Sequence, residues 1–384
     1  MSGSAQVRLG DVCEILIGNS APQDAKCFEG GSYPFVRTSD VGNIHFGILN
    51  CSRDALNDMG IKGLRLFKKG SVLFPKSGAS VFLNHRVMLG IDAFVSSHLA
   101  VIEPHGTIDA NYLLHCLSTI DAKSLLQNSA YPSLRRGDIA NVRIFLPPLA
   151  VQRRVAAKLD WICDIVAKRT QQLSQLQQLV KSRFVEMFGE NQEWERVGLL
   201  DVGKCKNGIN FAPNECGYEI HCIGVGNFKD FAEISNVEST PLVSLSQRPS
   251  DDLLLRDGDM LFVRSNGNKS LVGRCVVVRP GDTEVTFSGF CIRYRVTLEK
   301  LDPFYLVHFL RQSQVRRLLQ GRGANIQNMS QRTLAGLTIP LPPLALQREF
   351  AAFVAKVDKL AFAIQKGLES AEKLYRQQLS EAFS

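Results

Sequence analysis

Two Pro-Pro steps are the first residues in this sequence that suggest chemistry. They stand in "LPPLAVQRR" from Leu146 and in "LPPLALQRE" from Leu341. Amino-methyltransferases carry a Pro-Pro inside Asn-Pro-Pro-Tyr or Asp-Pro-Pro-Tyr, where the first side chain holds the target amine. Both steps here follow a leucine, which has no hydrogen-bond acceptor, and the chain has neither a GxxxxGK[ST] phosphate loop nor an HExxH metal helix. The sequence therefore predicts no catalytic residues.

Polar side chains cluster instead in two kinds of loop. One kind follows the short apolar runs "VLFP" and "MLFV", and the other precedes each Pro-Pro step. Solvated turns would share this composition, which remains the alternative for each residue. The polar residues of these loops are Lys76, Ser77, Ser80, Tyr131, Ser133, Arg135 and Arg136, and then Arg264, Ser265, Asn266, Asn268, Lys269, Arg322, Asn325, Gln327 and Asn328.

An internal repeat organises these loops. "KGSVLFPKSGAS" from Lys69 matches "DGDMLFVRSNGN" from Asp257, and "NYLLHCL" from Asn111 matches "FYLVHFL" from Phe304. The Pro-Pro segments then align without a gap up to Phe188 and Phe383. A repeat this long indicates two duplicated modules rather than a solenoid.

Each module is expected to have an α+β fold. Short β-branched and aromatic runs at 72–74, 260–263, 274–278 and 292–296 predict antiparallel strands joined by turns. One helix is expected at 112–127 or 304–320, and a shorter one before each Pro-Pro. His115 and His308 occupy matching positions in these helices, where we expect them to be packing residues rather than ligands.

Each Pro-Pro step marks the end of a strand and the start of a long helix, because proline is tolerated only in the first turn. Apolar residues then follow a heptad pattern, which requires a partner helix, and the other copy is the obvious one. Modules related by a pseudo-twofold axis would pair these helices as an antiparallel coiled coil. The predicted seam consists of Leu159, Ile162, Val166, Leu173, Leu176, Val180 and Met187 on one helix, and of Val354, Val357, Ala361, Ile364, Leu368, Ala371 and Tyr375 on the other.

Composition excludes several classes of protein. An apolar fraction of 45% is that of a chain with a core, and no apolar run approaches 18 residues. The N-terminus lacks the features of a signal peptide, so we expect a cytoplasmic protein. The ten cysteines contain no CxxC, and a metal site is not expected. A net charge of +8 permits a nucleic-acid partner without demonstrating one.

The segments "FLPPLAVQRRVAAKL", "IPLPPLALQREFAAFV" and "GANIQNMSQRTLAGLTIPLPP" resemble the signature of the specificity subunits of type I restriction-modification enzymes. In that family two target-recognition domains alternate with two long helices. The resemblance implies a recognition domain at 1–146, a central helix at 147–190, a second recognition domain at 191–341 and a C-terminal helix at 342–384. Where the family often has an acidic residue before the glutamine, this chain has Val151 and Leu346.

The resemblance implies a non-catalytic subunit that reads a bipartite target in double-stranded DNA, and the polar loop residues given above are then its candidate DNA contacts. Arg and Lys pair with the edge of guanine, and Asn and Gln with that of adenine. Because the loop from Arg264 reads Arg-Ser-Asn-Gly-Asn where that from Lys76 reads Lys-Ser-Gly-Ala-Ser, the target is expected to be asymmetric.

The subunit would dock two adenine methyltransferase subunits and, in the full complex, the restriction and translocase subunits. S-adenosylmethionine, ATP and Mg are then expected on those partners, and no cofactor on this chain. The residues after each Pro-Pro are the predicted partner contacts: Leu149, Gln152, Ala156, Leu344, Gln347 and Ala351. The alternatives are a free-standing DNA-binding regulator and a scaffold that has lost DNA recognition.

Overall fold

The structure is a computed structural model, and it describes residues 5–128, 130–189, 193–212, 215–228, 231–319 and 328–383. Contacts divide the chain into two compact units. Unit 1 comprises Met1–Thr170 with Lys366–Ser384, and unit 2 comprises Gln171–Gln365. Each unit therefore contains one strand-rich region together with parts of both Pro-Pro helices.

Unit 1 is built on a five-stranded sheet with the order β2-β9-β6-β7-β4. A three-stranded sheet, β5-β3-β8, and the pair β1-β10 complete its strands. Pairing is antiparallel except for β4 with β7 and β3 with β8. The strands are β1 (Ala5–Arg8), β2 (Cys13–Ile17), β3 (Tyr33–Val36), β4 (Phe46–Leu49), β5 (Asp54–Leu56), β6 (Val72–Pro75), β7 (Arg86–Leu89), β8 (Phe94–Val95), β9 (Leu99–Pro104) and β10 (Arg143–Leu146).

Unit 2 repeats this topology strand for strand. Its sheets have the orders β12-β19-β16-β17-β14, β15-β13-β18 and β11-β20. The parallel pairs are again β14 with β17 and β13 with β18. The strands are β11 (Arg196–Gly198), β12 (Gly203–Asn207), β13 (Tyr218–Ile223), β14 (Glu233–Ile234), β15 (Leu242–Leu245), β16 (Asp259–Val263), β17 (Cys275–Val278), β18 (Val285–Phe287), β19 (Cys291–Val296) and β20 (Thr338–Pro340).

The strand in the middle of each five-stranded sheet is buried on both faces. Along β6, Val72 and Phe74 pack in one apolar cluster while Leu73 packs in another, as the alternation of side chains in a strand requires. Along β16, Met260 and Phe262 likewise pack in a different apolar cluster from the residues beside them in the strand. These continuous apolar runs therefore identify central strands. The predicted polar loops begin directly after these buried strands.

The helices are short except for the two that follow the Pro-Pro steps. Both long helices begin just after the second proline, as the sequence predicts, and Pro148 O accepts hydrogen bonds from Val151 N (2.8 Å) and Gln152 N (3.1 Å). The helices are α1 (Leu9–Val12), α2 (Thr38–Ile44), α3 (Ala110–Ser118), α4 (Arg136–Ala140), α5 (Leu149–Phe188), α6 (Pro303–Leu310), α7 (Ser313–Leu319), α8 (Gln331–Ala335) and α9 (Leu344–Phe383).

Within each unit the segments of α5 and α9 run antiparallel. In unit 1 the Lys158 ammonium bonds to Gln378, whereas Arg169 lies against Gly367. In unit 2 Arg183 pairs with Glu349 at 3.1 Å. Every residue of the predicted seam is buried or half-buried. The predicted α+β fold, with duplicated strand-rich regions and paired long helices, is confirmed.

Two details of the prediction are wrong. The helix expected at 112–127 ends at Ser118, because the hydroxyls of Ser118 and Thr119 bond back to the carbonyls of His115 and Cys116 at 2.7 Å. A separate 3₁₀ turn follows, and α6 and α7 are divided in the same way; Gln320 lies outside the described residues. The sheets are also mixed rather than wholly antiparallel.

In the described part of the chain, no helix is both long and apolar enough to cross a membrane.

Candidate DNA interface

The two polar loops predicted in each module lie side by side in the structure. In unit 1, Ser77 and Ser133 form an antiparallel β-bridge, and Leu134 N donates to Lys76 O at 2.7 Å. In unit 2, Ser265 and Asn328 form the equivalent bridge, with Met329 N donating to Arg264 O at 2.7 Å. Residues more than 50 positions apart are thus joined by backbone bonds into one surface in each unit.

A third loop, which the sequence analysis did not select, joins these two. It connects β8 to β9 in unit 1 and β18 to β19 in unit 2. Lys76 N donates to His98 O at 3.0 Å, and Arg264 N donates to Phe290 O at 2.8 Å. We call residues 96–98 and 288–290 the third loop of each unit. The matching positions of "VSSHL" and "FSGFC" were the signal that could have identified it.

A glycine holds the third loop against the segment after the first strand of each five-stranded sheet. A Cβ added at Gly18 would stand 2.2 Å from Ser96 O, and one at Gly208 would stand 2.2 Å from Ser288 O. Only glycine allows backbones to approach so closely. The two units therefore position the third loop in the same way, through a glycine, although the side chains on the loops differ.

The predicted contacts of unit 1 are distributed between exposed and half-buried positions. Tyr131 is 83% exposed. Ser133, Arg135 and Arg136 are exposed as well, whereas Lys76, Ser77 and Ser80 are half-buried. The Ser77 hydroxyl lies 2.8 Å from His98 Nδ1, and the Ser80 hydroxyl donates to Ser77 O at 2.9 Å.

In unit 2 the loop after β16 carries longer hydrogen-bonding side chains. Arg264 is half-buried, and its guanidinium donates to Gly289 O at 3.4 Å. Asn266 and Asn268 order the loop, because their side-chain oxygens accept backbone bonds from residues 268 and 270 at 2.8 and 3.0 Å. Ser265 is half-buried and Lys269 exposed. The predicted contacts Arg322, Asn325 and Gln327 lie outside the described residues.

A cavity of about 360 Å³ lies where the three loops of unit 2 meet. Amide side chains, Arg264 and the ring of Phe290 line it, so it combines forked hydrogen-bonding groups with one apolar wall. Its lining is Asn207, Asn210, Arg264, Ser265, Gly289, Phe290, Ile292, Asn328, Met329, Ser330 and Gln331.

The glutamines after the Pro-Pro steps do not form a docking surface, contrary to the prediction. Gln152 and Gln347 are both 0% exposed. The amide of Gln152 donates to Pro147 O at 2.8 Å and to Thr107 O at 3.0 Å. The amide of Gln347 donates to Pro342 O and Lys300 O at 2.7 and 2.9 Å. These side chains fix the strand-to-helix turn from inside their own units.

The other residues predicted to contact a partner are divided between buried and half-buried positions. Ala156 is buried in the unit 1 core, and this corrects its assignment. Leu149, Leu344 and Ala351 are half-buried and keep partly accessible surface. Of the two family departures, Leu346 packs against the core of unit 2, and Val151 is half-buried.

The matching histidines are both packed inside, but with different neighbours. His115 is 0% exposed, with Nε2 at 2.7 Å from Asp160 Oδ1 and Nδ1 at 3.1 Å from the Tyr375 hydroxyl. His308 packs edge-on against Phe350, and its buried Nε2 has no hydrogen-bond partner. Burial, and secondarily Arg311, lowers the pKa of His308 to about 3.

Within the described residues, no group of three or more His, Cys, Asp or Glu side chains is placed to hold a metal ion. The ten cysteines are all free thiols. Burial raises the pKa of Cys13 and Cys116 to about 12.

The described chain thus consists of two duplicated strand-rich units with matching loop clusters, each packed with segments of both long helices. The model of the type I restriction modification DNA specificity domain matches residues 1–178 and 191–372, and the chain belongs to this family.

The chain is also similar to individual specificity subunits. The chain is 26% identical over 189 residues to the type I restriction enzyme MjaIX specificity subunit of Methanocaldococcus jannaschii, an alignment that covers 48% of this chain and 43% of that protein. It is 23% identical to the MjaVIII specificity subunit of the same organism, over 96% of this chain and 89% of that one. The crystal structure of a type I restriction-modification system S subunit from M. genitalium shares the fold, with a TM-score of 0.61, 11% identity and coverage of 100% and 96%.

Proposed function

We propose that this chain reads a bipartite DNA target for a type I restriction-modification complex, with one half-site for each unit. The observation that carries the proposal is the β-bridged loop cluster present once in each unit, Ser77 with Ser133 and Ser265 with Asn328. A shared backbone frame with different side chains suits the reading of two different sequences. The loop of unit 2 has Asn266 and Asn268, amide side chains suited to adenine, where unit 1 has Gly78 and Ser80, so the target is asymmetric.

The chain itself supplies binding and no catalysis. Methyl transfer, DNA translocation and cleavage belong to partner subunits, which would carry S-adenosylmethionine, ATP and Mg. Large apolar side chains exposed on the long helices support such docking: Trp161 is 62% exposed in unit 1, and Val185 and Phe362 are 58% and 56% exposed in unit 2. Two methyltransferase subunits would occupy these helices.

Co-expression with the methyltransferase subunit of the same system tests the proposal. Methylated adenines would be mapped across a genome by long-read sequencing. The expected result is one motif with two different halves and a fixed unread gap, whose half-site centres lie about one helical turn, roughly 10 base pairs, apart. A continuous motif would contradict the two-unit reading, and so would the absence of any motif.

Comparison of this complex with the chain purified alone distinguishes two other possible functions. A free-standing regulator would bind its DNA sequence specifically when purified without the methyltransferase. A scaffold that has lost recognition would form the complex, but the complex would methylate no defined sequence.

A further inference from the structure

Phe290 is an exposed aromatic side chain at the centre of the unit 2 loops. It is 59% exposed and lines the cavity formed by those loops, among amide and guanidinium groups. The aromatic residues of the two strands that flank this loop are buried: Phe287 and Tyr294 are both 0% exposed. Among the described residues that line this cavity, Phe290 is the large apolar side chain that is exposed, since Ile292 and Met329 are buried.

The backbone of Phe290 is fixed by bonds to two other loops. Its carbonyl accepts hydrogen bonds from Arg264 N (2.8 Å) and Ser265 N (3.3 Å). The preceding Gly289 N donates to Ile209 O at 2.6 Å. A backbone held in this way loses little conformational entropy when the loop meets a ligand.

The matching residue of unit 1 has different chemistry on the same frame. His98 is exposed, and its carbonyl accepts from Lys76 N at 3.0 Å, as that of Phe290 accepts from Arg264 N. The hydroxyl of Ser77, 2.8 Å from His98 Nδ1, orients the imidazole. Ser265 occupies the position of Ser77 in unit 2, so the frame around Phe290 could orient a histidine in the same way.

We propose that the third-loop residue determines specificity in both units: Phe290 packs against the C5-methyl group of a thymine, and His98 Nε2 hydrogen-bonds a base edge. Thymine is the base that presents a methyl group in the major groove, and phenylalanine is one of the side chains suited to contact it. The inference rests on the proposed function and assigns one letter of the half-site read by unit 2.

The test uses the complex with its methyltransferase and the motif that its methylation map defines. Each thymine of the unit 2 half-site is replaced in turn by deoxyuridine, which removes only the methyl group, and the binding constant is measured. One replacement should weaken binding about fourfold, the factor expected for burying one methyl group. In Phe290→Ala that same replacement should have no effect, whereas Phe290→Leu should retain the sensitivity.

Exchange of the two side chains provides the matched control. Phe290→His should change a letter in the unit 2 half-site alone, and His98→Phe a letter in the unit 1 half-site alone. The unchanged half-site shows in each case that the variant is folded. A unit 2 half-site without thymine, or equal sensitivity to deoxyuridine in wild type and Phe290→Ala, would overturn the inference while leaving the bipartite function intact. Absence of a bipartite motif in the wild type would overturn the function itself.

Discussion

Gln152 and Asp109 are joined by a hydrogen bond that connects the starts of two helices. Asp109 N donates to Gln152 Oε1 at 2.8 Å, and the Asp109 carboxylate caps α3 by accepting from Asn111 N and Tyr112 N at 3.1 Å. In unit 2, Asp302 N donates to Gln347 Oε1 at the same 2.8 Å. One buried glutamine thus positions both the long helix and the helix beside it.

Replacement of Gln152 by Ala should destabilise unit 1 by about 2 kcal/mol, because buried carbonyls and an N–H group lose their partners. Hydrogen exchange should quicken at 109–118 and stay unchanged at 302–310. Gln347→Ala should show the reverse, and Arg154→Ala, an exposed neighbour on α5, should affect neither. Equal quickening in both units would contradict a local role for these glutamines.

Arg264→Ala should weaken binding of the cognate DNA about 5- to 150-fold, the range for loss of one paired base contact. The methylation map should relax at one position in the unit 2 half-site. Lys76→Ala provides the counterpart in unit 1. If Arg264→Ala instead degraded both half-sites, the residue would act on folding rather than on base reading.

Gly18→Ala should push the third loop of unit 1 away, since the new Cβ would meet a backbone carbonyl at 2.2 Å. We expect a loss of stability of about 1–3 kcal/mol and a weaker unit 1 half-site. Gly208→Ala should do the same for unit 2. Alanine at Gly137, where no atom lies within 4 Å of an added Cβ, is the control. Melting temperature and methylation mapping measure the two effects separately.

His308 makes the stability of unit 2 depend on pH. Its pKa is lowered to about 3 in the folded chain by burial, so the unfolded chain binds the proton first as the pH falls below about 6.5. The wild type should therefore lose about 1.4 kcal/mol per pH unit relative to His308→Leu between pH 6.5 and 3. Asp358, whose pKa burial raises to about 6, acts in the opposite direction in both proteins and cancels in the comparison. A pH-independent difference between the two chemical-denaturation curves would contradict this assignment.

The parts of the fold that depend on short stretches of sequence were predicted correctly. Proline geometry placed the start of α5, and heptad spacing identified Leu159 and Val354 as seam residues, which are buried. The two polar loops of unit 1 were selected by their composition, and the structure joins them through the bridge between Ser77 and Ser133, whereas their contact with DNA stays a prediction. Residues whose role depends on distant partners were missed or misassigned. The burial of Gln152 could not be predicted, because it depends on Thr107 O and Asp109 N, both over 40 residues away. The exposure of Phe290 likewise depends on loops that are distant in the sequence.

The contact between His115 and Tyr375 joins residues 260 positions apart, and both belong to unit 1. A ribosome adds about 5–20 residues per second, so roughly 10–40 s separate the synthesis of Thr170 from that of Tyr375. During that interval the strand-rich region of unit 1 has emerged without the segment of α9 that contacts His115. Unit 1 can therefore complete its fold only after the last part of the chain is made, although its first residues are translated first. Until then its exposed apolar surface can bind chaperones or aggregate.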